Sequence, residues 1–351
     1  MTEMMKANVF YGPNDIRIEQ VPKPRAGHGE VVVKVTLTTI CGTDIHILSG
    51  GYPVKPGLII GHEFVGVIDE VGLGVEEWKS GDRVVVGCVS PCGQCYFCHN
   101  GLTAHCGGLL NSWKLGNIWN GAQAEYVLVP YAKNNIAKIP DHLTDEQLLF
   151  VGDIMSTGFS ASEKANVKIG DSVAVFAQGP VGLCATVGAR LSGATKVIAV
   201  ERIPYRIEIS KKLGADIVLN PDEVDVTAEI KKLTGGWGVD VAIEALGIQA
   251  TFEGALRAVR PGGTVSSLGI YENNLTVPLD AYGAGLADIS IISTVCPTGA
   301  ERMRRLISVI DSGRADLTPL ITHTMPLDEI KEGYRIFGGK LDNVLKVAIK
   351  P

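Results

Sequence analysis

From Gly170 onward the chain alternates short apolar runs with helix-length segments, and this pattern limits the fold more than any other feature. The runs are "SVAVF" (172–176), "KVIAV" (196–200), "DIVL" (216–219), "VDVAIEA" (239–245), "GTVSSLG" (263–269) and "ISIIS" (289–293). Parallel strands need a crossover between them, and helices are the usual crossover, so the alternation predicts βαβ units and a doubly wound parallel sheet. Helices are expected from Pro180 to Leu191 and from Pro204, whose fixed φ suits a first helical turn; "RPGG" at 260–263 stops another.

The first 150 or so residues have a different texture, with β-rich runs such as "EVVVKVTLTTI" and "GDRVVVGCV" broken by Gly, Pro and Asp. At 351 residues the chain exceeds the ~250 to 300 at which single cores stop growing, so two domains are expected. We place one domain at 1–152 and 297–351, and a second, built of the alternating strands and helices, at 153–296. The tail after Cys296, with one amphipathic helix candidate "GAERMRRLISVIDSG" and a last strand "VLKVAIK", returns to the first domain.

A formal charge of −6 argues against a nucleic-acid or anionic-membrane partner, because such binders present basic surfaces. The opening "MTEMMKANVF" has no basic segment followed by an apolar core, and no stretch approaches about 18 uninterrupted apolar residues. Cytoplasmic residence and small-molecule partners are the expectation. Eight cysteines in such a chain read first as metal ligands rather than disulfides.

Four of them, Cys92, Cys95, Cys98 and Cys106, fall within "PCGQCYFCHNGLTAHC". Four thiolates from one loop close a tetrahedral site, which suits Zn²⁺ and leaves no position for substrate, so the site would be structural. An iron-sulfur cluster is the competing reading; the fourth cysteine is not followed by proline, and no second cluster's cysteines are present. An open site needs three ligands from elsewhere. Cys41 in "CGTDIH", His62 in "GHEFVGVIDEVG" and an acid further on would give sulfur, nitrogen and oxygen donors. Cys41 could equally be a small buried residue, His46 a surface imidazole and Asp153 in "VGDIMSTG" a helix cap, and spacing alone does not decide.

"AVFAQGPVGLCATVGARL" follows a predicted strand and opens a helix, the setting of a dinucleotide fingerprint. Pro180 opens that helix, and the free first-turn amides that follow from Val181, with the close backbone approach at Gly179, would receive a pyrophosphate, while Gly182 allows close packing of helix on strand. Ala177 stands where the first glycine of G-x-G-x-x-G is usual.

Taken in order, "CGTDIH", "GHEFVGVIDEVG", the four-cysteine loop, "GPVGL" and "RPGGTV" resemble the zinc-dependent medium-chain alcohol dehydrogenases over essentially the entire chain. Asp153 and the "SWKLGN" segment around Trp113 are most similar to the bacterial secondary-alcohol dehydrogenases, which commonly lack the four-cysteine lobe. The resemblance implies an α/β chain made of a β-rich GroES-like catalytic domain and a Rossmann cofactor domain. It implies two zinc ions per chain, the catalytic one on Cys41, His62 and Asp153 with Glu63 beside it as supporting group or occasional ligand. Thr43 would take the substrate proton, His46 would pass it to solvent, and Asp44 would orient a neighbour. Cys88, Val89, Trp113, Ile270 and Val295 would line an apolar pocket for small secondary alcohols or ketones. Thr157, Leu246, Leu268 and Val295 would face the nicotinamide. Polyol and threonine dehydrogenases of the same family, and a non-catalytic zinc-bound nucleotide-binding protein, are the alternatives. A homotetramer is expected by likeness to bacterial relatives, a dimer being possible.

Glu201 lies 19 residues after Gly182, at the end of the second predicted strand. An acid there hydrogen-bonds the adenosine ribose and repels a 2′-phosphate, so NAD is expected over NADP. NADP-using relatives place an Arg and a Tyr where this chain has Ile203 and Pro221. Arg202 and Arg206 are near enough to soften the repulsion.

Overall fold

The computed structural model describes residues 2–351. The chain divides into two compact units, one holding the residues through Ser156 together with Cys296–Pro351, the other Thr157–Val295. The boundary expected at 153 therefore moves: Asp153 and Cys296 pack in the first unit, and the division falls inside the helix Ile154–Lys164.

In the first unit a sheet runs in the order Ile321–Pro326, Lys346–Lys350, Val31–Thr39, Phe64–Val71, Arg83–Val86, Ile136–Lys138, with Tyr126–Val129 also on Val31–Thr39. The last strand's pairing with Val31–Thr39 is antiparallel, which is how the tail joins the first half of the chain. Val31, Val33, Val35, Phe64, Ile68, Val84, Val86 and Val127 share one core, so the β-branched runs are buried where alternate side chains face inward. Helices here are short, the first being Gly42–Leu48. The tail holds more than one helix and one strand. Besides Ala300–Asp311 and Lys346–Lys350 it forms the strand Ile321–Pro326 and the helix Ile330–Gly339.

The second unit is a parallel sheet in the order Ile217–Leu219, Lys196–Val200, Ser172–Phe176, Val239–Glu244, Val259–Ser267, Ser290–Ser293. Numbered along the chain this is 3-2-1-4-5-6, the doubly wound dinucleotide-binding order, whose connections reverse beside Ser172–Phe176. The central strands are apolar at nearly every position because both faces are covered. Helix Gln249–Ala258 ends just before "RPGG" as expected, but the next strand begins at Val259 and runs through it. Pro261 is tolerated because the pairing slips between Val239 and Val241, freeing the ladder at that point.

Candidate functional site

Three buried side chains from separate segments of the first unit converge. Cys41 caps the start of helix Gly42–Leu48, His62 lies two residues before strand Phe64–Val71, and Asp153 precedes helix Ile154–Lys164. His62 Nε2 lies 3.3 Å from Asp153 Oδ2, and Cys41 Sγ lies 3.9 Å from the same oxygen. Gly61 makes the turn into His62 with φ +96°, and a Cβ there would meet Gln123 Cγ at 2.6 Å. The "GHE" glycine is thus fixed by both backbone conformation and close packing.

The donor chemistry fits zinc. Bonds of about 2.0 to 2.3 Å to S, N and O donors place tetrahedral ligands roughly 3.3 to 3.8 Å apart, close to the spacing found. Burial pushes the His62 pKa down, yet contacts with Asp153, Asp44 and Cys41 outweigh it and hold it well above the ordinary range. Burial likewise pushes Asp153 up, and His62 more than reverses this, leaving its carboxyl below the usual range. Both shifts mark a centre where positive charge is stabilised.

Around this set the chain supplies orienting groups. Asp44 Oδ2 accepts from the Cys41 amide at 2.9 Å and from Gln123 Nε2 at 3.2 Å, while Asp44 Oδ1 stands 3.5 Å from His62 Nδ1. Gln123 is itself held by Asn8 and Tyr334, all three fully or almost fully buried. A carboxylate behind a ligating imidazole fixes the ring and its tautomer. Thr43 Oγ1 is 3.8 Å from Cys41 Sγ, and His46, three residues on in the same helix, shares its face. His46 packs edge-on to Tyr52, and Tyr52 edge-on to Trp113, which in turn faces His62 at 6.3 Å.

Glu63 is not one of the three converging donors but stands against Asp153, and its Oε2 accepts from Lys346 Nζ at 2.6 Å, with both side chains sealed from solvent. Burial alone would push the Lys346 pKa down; the Glu63 carboxylate and the Cys41 sulfur override it and push it up. Lys346, Gln123, Asn8 and Tyr52 were not singled out in the sequence. The one available signal was a lysine inside the apolar run "VLKVAIK".

Cys88, Val89 and Trp113 pack together with Cys296, which the sequence marks only as the start of the tail and not as a site residue. A hydrogen bond with Cys296, with burial, pushes the Cys88 thiol well up. Ile270 and Val295 belong to the second unit, where Ile270 is exposed. A surface cleft of about 420 Å³, lined by Met5, His28, Trp119, Tyr126 and Tyr131 among others, shares no residue with the donor set.

Cys92, Cys95, Cys98 and Cys106 form a second group. Cys95 Sγ is 3.6 Å from Cys98 Sγ and 3.8 Å from Cys106 Sγ, and tetrahedral zinc thiolates lie about 3.8 Å apart. The Cys98 amide lowers the Cys95 pKa to about 6, whereas burial pushes Cys106 up to about 12. The lobe's only regular elements are the helices Tyr96–His99 and Thr103–His105, too short to persist alone. Cys95→Ser is therefore expected to lower Tm by roughly 5 °C or more and to open the segment 92–106 to protease while turnover persists in the folded fraction. Loss of turnover in well-folded Cys95→Ser protein would contradict this.

In the second unit, Gly179 caps helix Pro180–Leu191, leaving the first-turn amides outside the helical ladder. A Cβ at Gly179 would meet nothing nearer than Arg206 Nη1 at 3.8 Å, whereas one at Gly182 would strike the Ala177 carbonyl at 1.9 Å. Ala177 adopts φ +69°, the left-handed conformation in which glycine is usual, so the loop keeps its shape at a local strain of about 1 kcal/mol. These features fit a pyrophosphate cradle. Glu201 follows strand Lys196–Val200, and its oxygens accept from the amides of Gln178, Arg202 and Ile203 at 2.8 to 3.0 Å. Arg206, on helix Pro204–Lys212, stands beside both. Leu268 is nearly buried in this unit's core and Leu246 is exposed; Thr157 and Val295 are half-buried. A residue the sequence did not flag, Glu244, is fully buried and accepts from the amides of Leu246 and Gly247, both at 2.8 Å, and from the Tyr271 hydroxyl at 2.6 Å. It holds the turn that carries Leu246.

Comparison with known proteins agrees with this fold. Residues 27–141 match the family described as alcohol dehydrogenase GroES-like domain, and residues 180–312 that described as zinc-binding dehydrogenase. The chain is 52% identical to an alcohol dehydrogenase of Cupriavidus necator, with 100% of each covered. It is 34% identical to the NADP-dependent isopropanol dehydrogenase of Thermoanaerobacter brockii, over 93% of this chain and 94% of that one. Among solved structures, alcohol dehydrogenase TADH from Thermus sp. ATN1 matches with a TM-score of 0.90 at 34% identity, covering 99% of both chains.

Proposed function

We propose, from the premise that the chain belongs to the zinc-dependent medium-chain alcohol dehydrogenase family, that it interconverts small apolar secondary alcohols and ketones with NAD(H). The observation that carries this reading is the buried convergence of Cys41, His62 and Asp153, three donors that leave a fourth position for substrate. When bound, zinc supplies Lewis acidity for an alcohol or carbonyl oxygen and the nicotinamide carries the hydride. The chain's own residues do the rest. Thr43 Oγ1 takes the alcohol proton, and His46, on the same helix face, relays it toward solvent. Asp44 keeps the His62 ring oriented so that Nε2 points to the metal position. Glu63, neutralised by Lys346, adds a carboxylate near the centre without adding net charge.

Cys88, Val89 and Trp113 offer few hydrogen-bond partners, which favours a small hydrophobic substrate over a polyol. In a kinetic panel of 2-propanol, 2-butanol, butanediol, sorbitol and threonine, we expect kcat/KM to be highest for 2-propanol or 2-butanol. A higher value for sorbitol or threonine would move the assignment to the polyol or threonine dehydrogenases. Assembly as a homotetramer, or as a dimer, is part of this reading. The edge strand Ser290–Ser293 is largely exposed, as are Leu279 and Leu286 nearby in sequence.

For the cofactor we propose NAD, although the Thermoanaerobacter relative is named for NADP. Glu201 is held by three backbone amides just past the end of strand Lys196–Val200, and an acid at that strand end disfavours a 2′-phosphate. Glu201→Ser is expected to narrow the preference by about 1 to 2 kcal/mol, the scale of one charge-assisted hydrogen bond, and to loosen the loop whose amides it satisfies. Wild-type kcat/KM higher with NADPH than with NADH would overturn this.

A further inference from the structure

Asp153 belongs to a second buried group. Cys88, Asp153 and Cys296 each place a donor atom within 4.8 Å of the other two, and the two cysteines pack in a buried cluster with Val89 and Trp113. Cys88 is 4% exposed and Cys296 5%, and Cys296 Sγ lies 3.5 Å from the Asp153 carbonyl oxygen. We propose that Cys88 and Cys296, with Asp153 as a shared carboxylate, form an inhibitory site for a soft, thiophilic metal ion such as Cd²⁺ or excess Zn²⁺.

The chemistry follows from the donors. Two sulfurs and one oxygen select soft ions over Mg²⁺ or Ca²⁺, which prefer all-oxygen shells. A carboxylate has two oxygens and can serve an ion on either side. Binding releases one proton from each thiol, and two thiolates balance a divalent ion, so the buried pocket gains no net charge. No oxidant or reductant is needed. The occupied position lies against Trp113 and Val89, where the alcohol is placed above, so the ion would compete with substrate. That consequence rests on the proposed dehydrogenase reading, whereas metal binding itself does not.

The test is to titrate zinc-replete, full-length protein with Cd²⁺, counting cadmium and zinc per chain after desalting and following cadmium–thiolate absorption in the ultraviolet. We expect one cadmium per chain beyond two retained zincs, a thiolate band, and inhibition competitive with 2-butanol. Cys88→Ser and Cys296→Ser should each weaken cadmium uptake by roughly 10-fold or more, with folding checked by retained zinc and NADH binding. If Cys88→Ser does not retain zinc, Cys296→Ser alone decides. The proposal is overturned if no ion binds beyond zinc, if cadmium uptake is matched by zinc release, if the serine variants bind cadmium as the wild type does, or if the two sulfurs are found as a disulfide. Cadmium bound as expected by a protein that oxidises no alcohol would sustain this site and sink the dehydrogenase reading.

Discussion

Asp153→Ala is expected to lower kcat/KM for 2-butanol by about 100-fold or more, a lower bound set by what losing a mere supporting partner of a metal ligand can cost. The fold should survive, because Asp153 sits in a turn outside the sheets, and nucleotide binding by the second unit should be unchanged. Metal content should fall by one ion per chain, the four-cysteine group keeping its own. Cys95→Ser should do the reverse, losing stability and sparing turnover. Full activity in Asp153→Ala protein would remove the carboxylate from the proposed chemistry.

Lys346→Met is expected to destabilise the protein by about 3 to 5 kcal/mol, the usual cost of stripping one partner from a buried ion pair. This corresponds to a Tm lower by roughly 4 to 7 °C for a chain of 351 residues. Lys346 also donates to the Ile40 carbonyl at 3.2 Å, beside Cys41, so the substitution strips the Glu63 carboxylate of its cation and takes a donor from that carbonyl as well. Combining it with Glu63→Leu should recover most of the loss, since two apolar groups replace the pair together. Denaturant melts of the single and double variants read this directly. A Lys346→Met protein within about 1 kcal/mol of wild type would show that the pair contributes little.

What the sequence could reveal depended on how local each feature is. The four cysteines announce themselves because all fall within one loop, and the alternation after Gly170 predicts the parallel sheet because each βαβ unit is a local pattern. Cys41, His62 and Asp153 are far apart in the chain, and their assignment drew on family resemblance rather than spacing. Lys346 and Glu63 are separated by 283 residues and meet only because the last strand lies against Val31–Thr39. No local rule exposes such a partnership. The helix Ile330–Gly339 was missed for a different reason: three glycines in "IKEGYRIFGG" weaken its intrinsic propensity. One of them, Gly333, lies where a Cβ would come within 2.9 Å of Ile40 Cδ1, so tertiary packing favours the residue that propensity disfavours. Ala177 shows the same in the cofactor loop, where the surroundings hold a non-glycine residue at positive φ.

The ligand sets also predict an order of metal loss. A site with one carboxylate and a position open to solvent or substrate should release zinc before a closed set of four thiolates. The most direct test is dialysis of zinc-replete protein against a chelator, measuring zinc per chain and NAD-dependent oxidation of 2-butanol in the same samples. The prediction is that turnover falls in step with the first zinc lost, while the second remains, and returns when zinc is added back. Undiminished turnover after that first zinc has gone, or no turnover by zinc-replete protein, would contradict it.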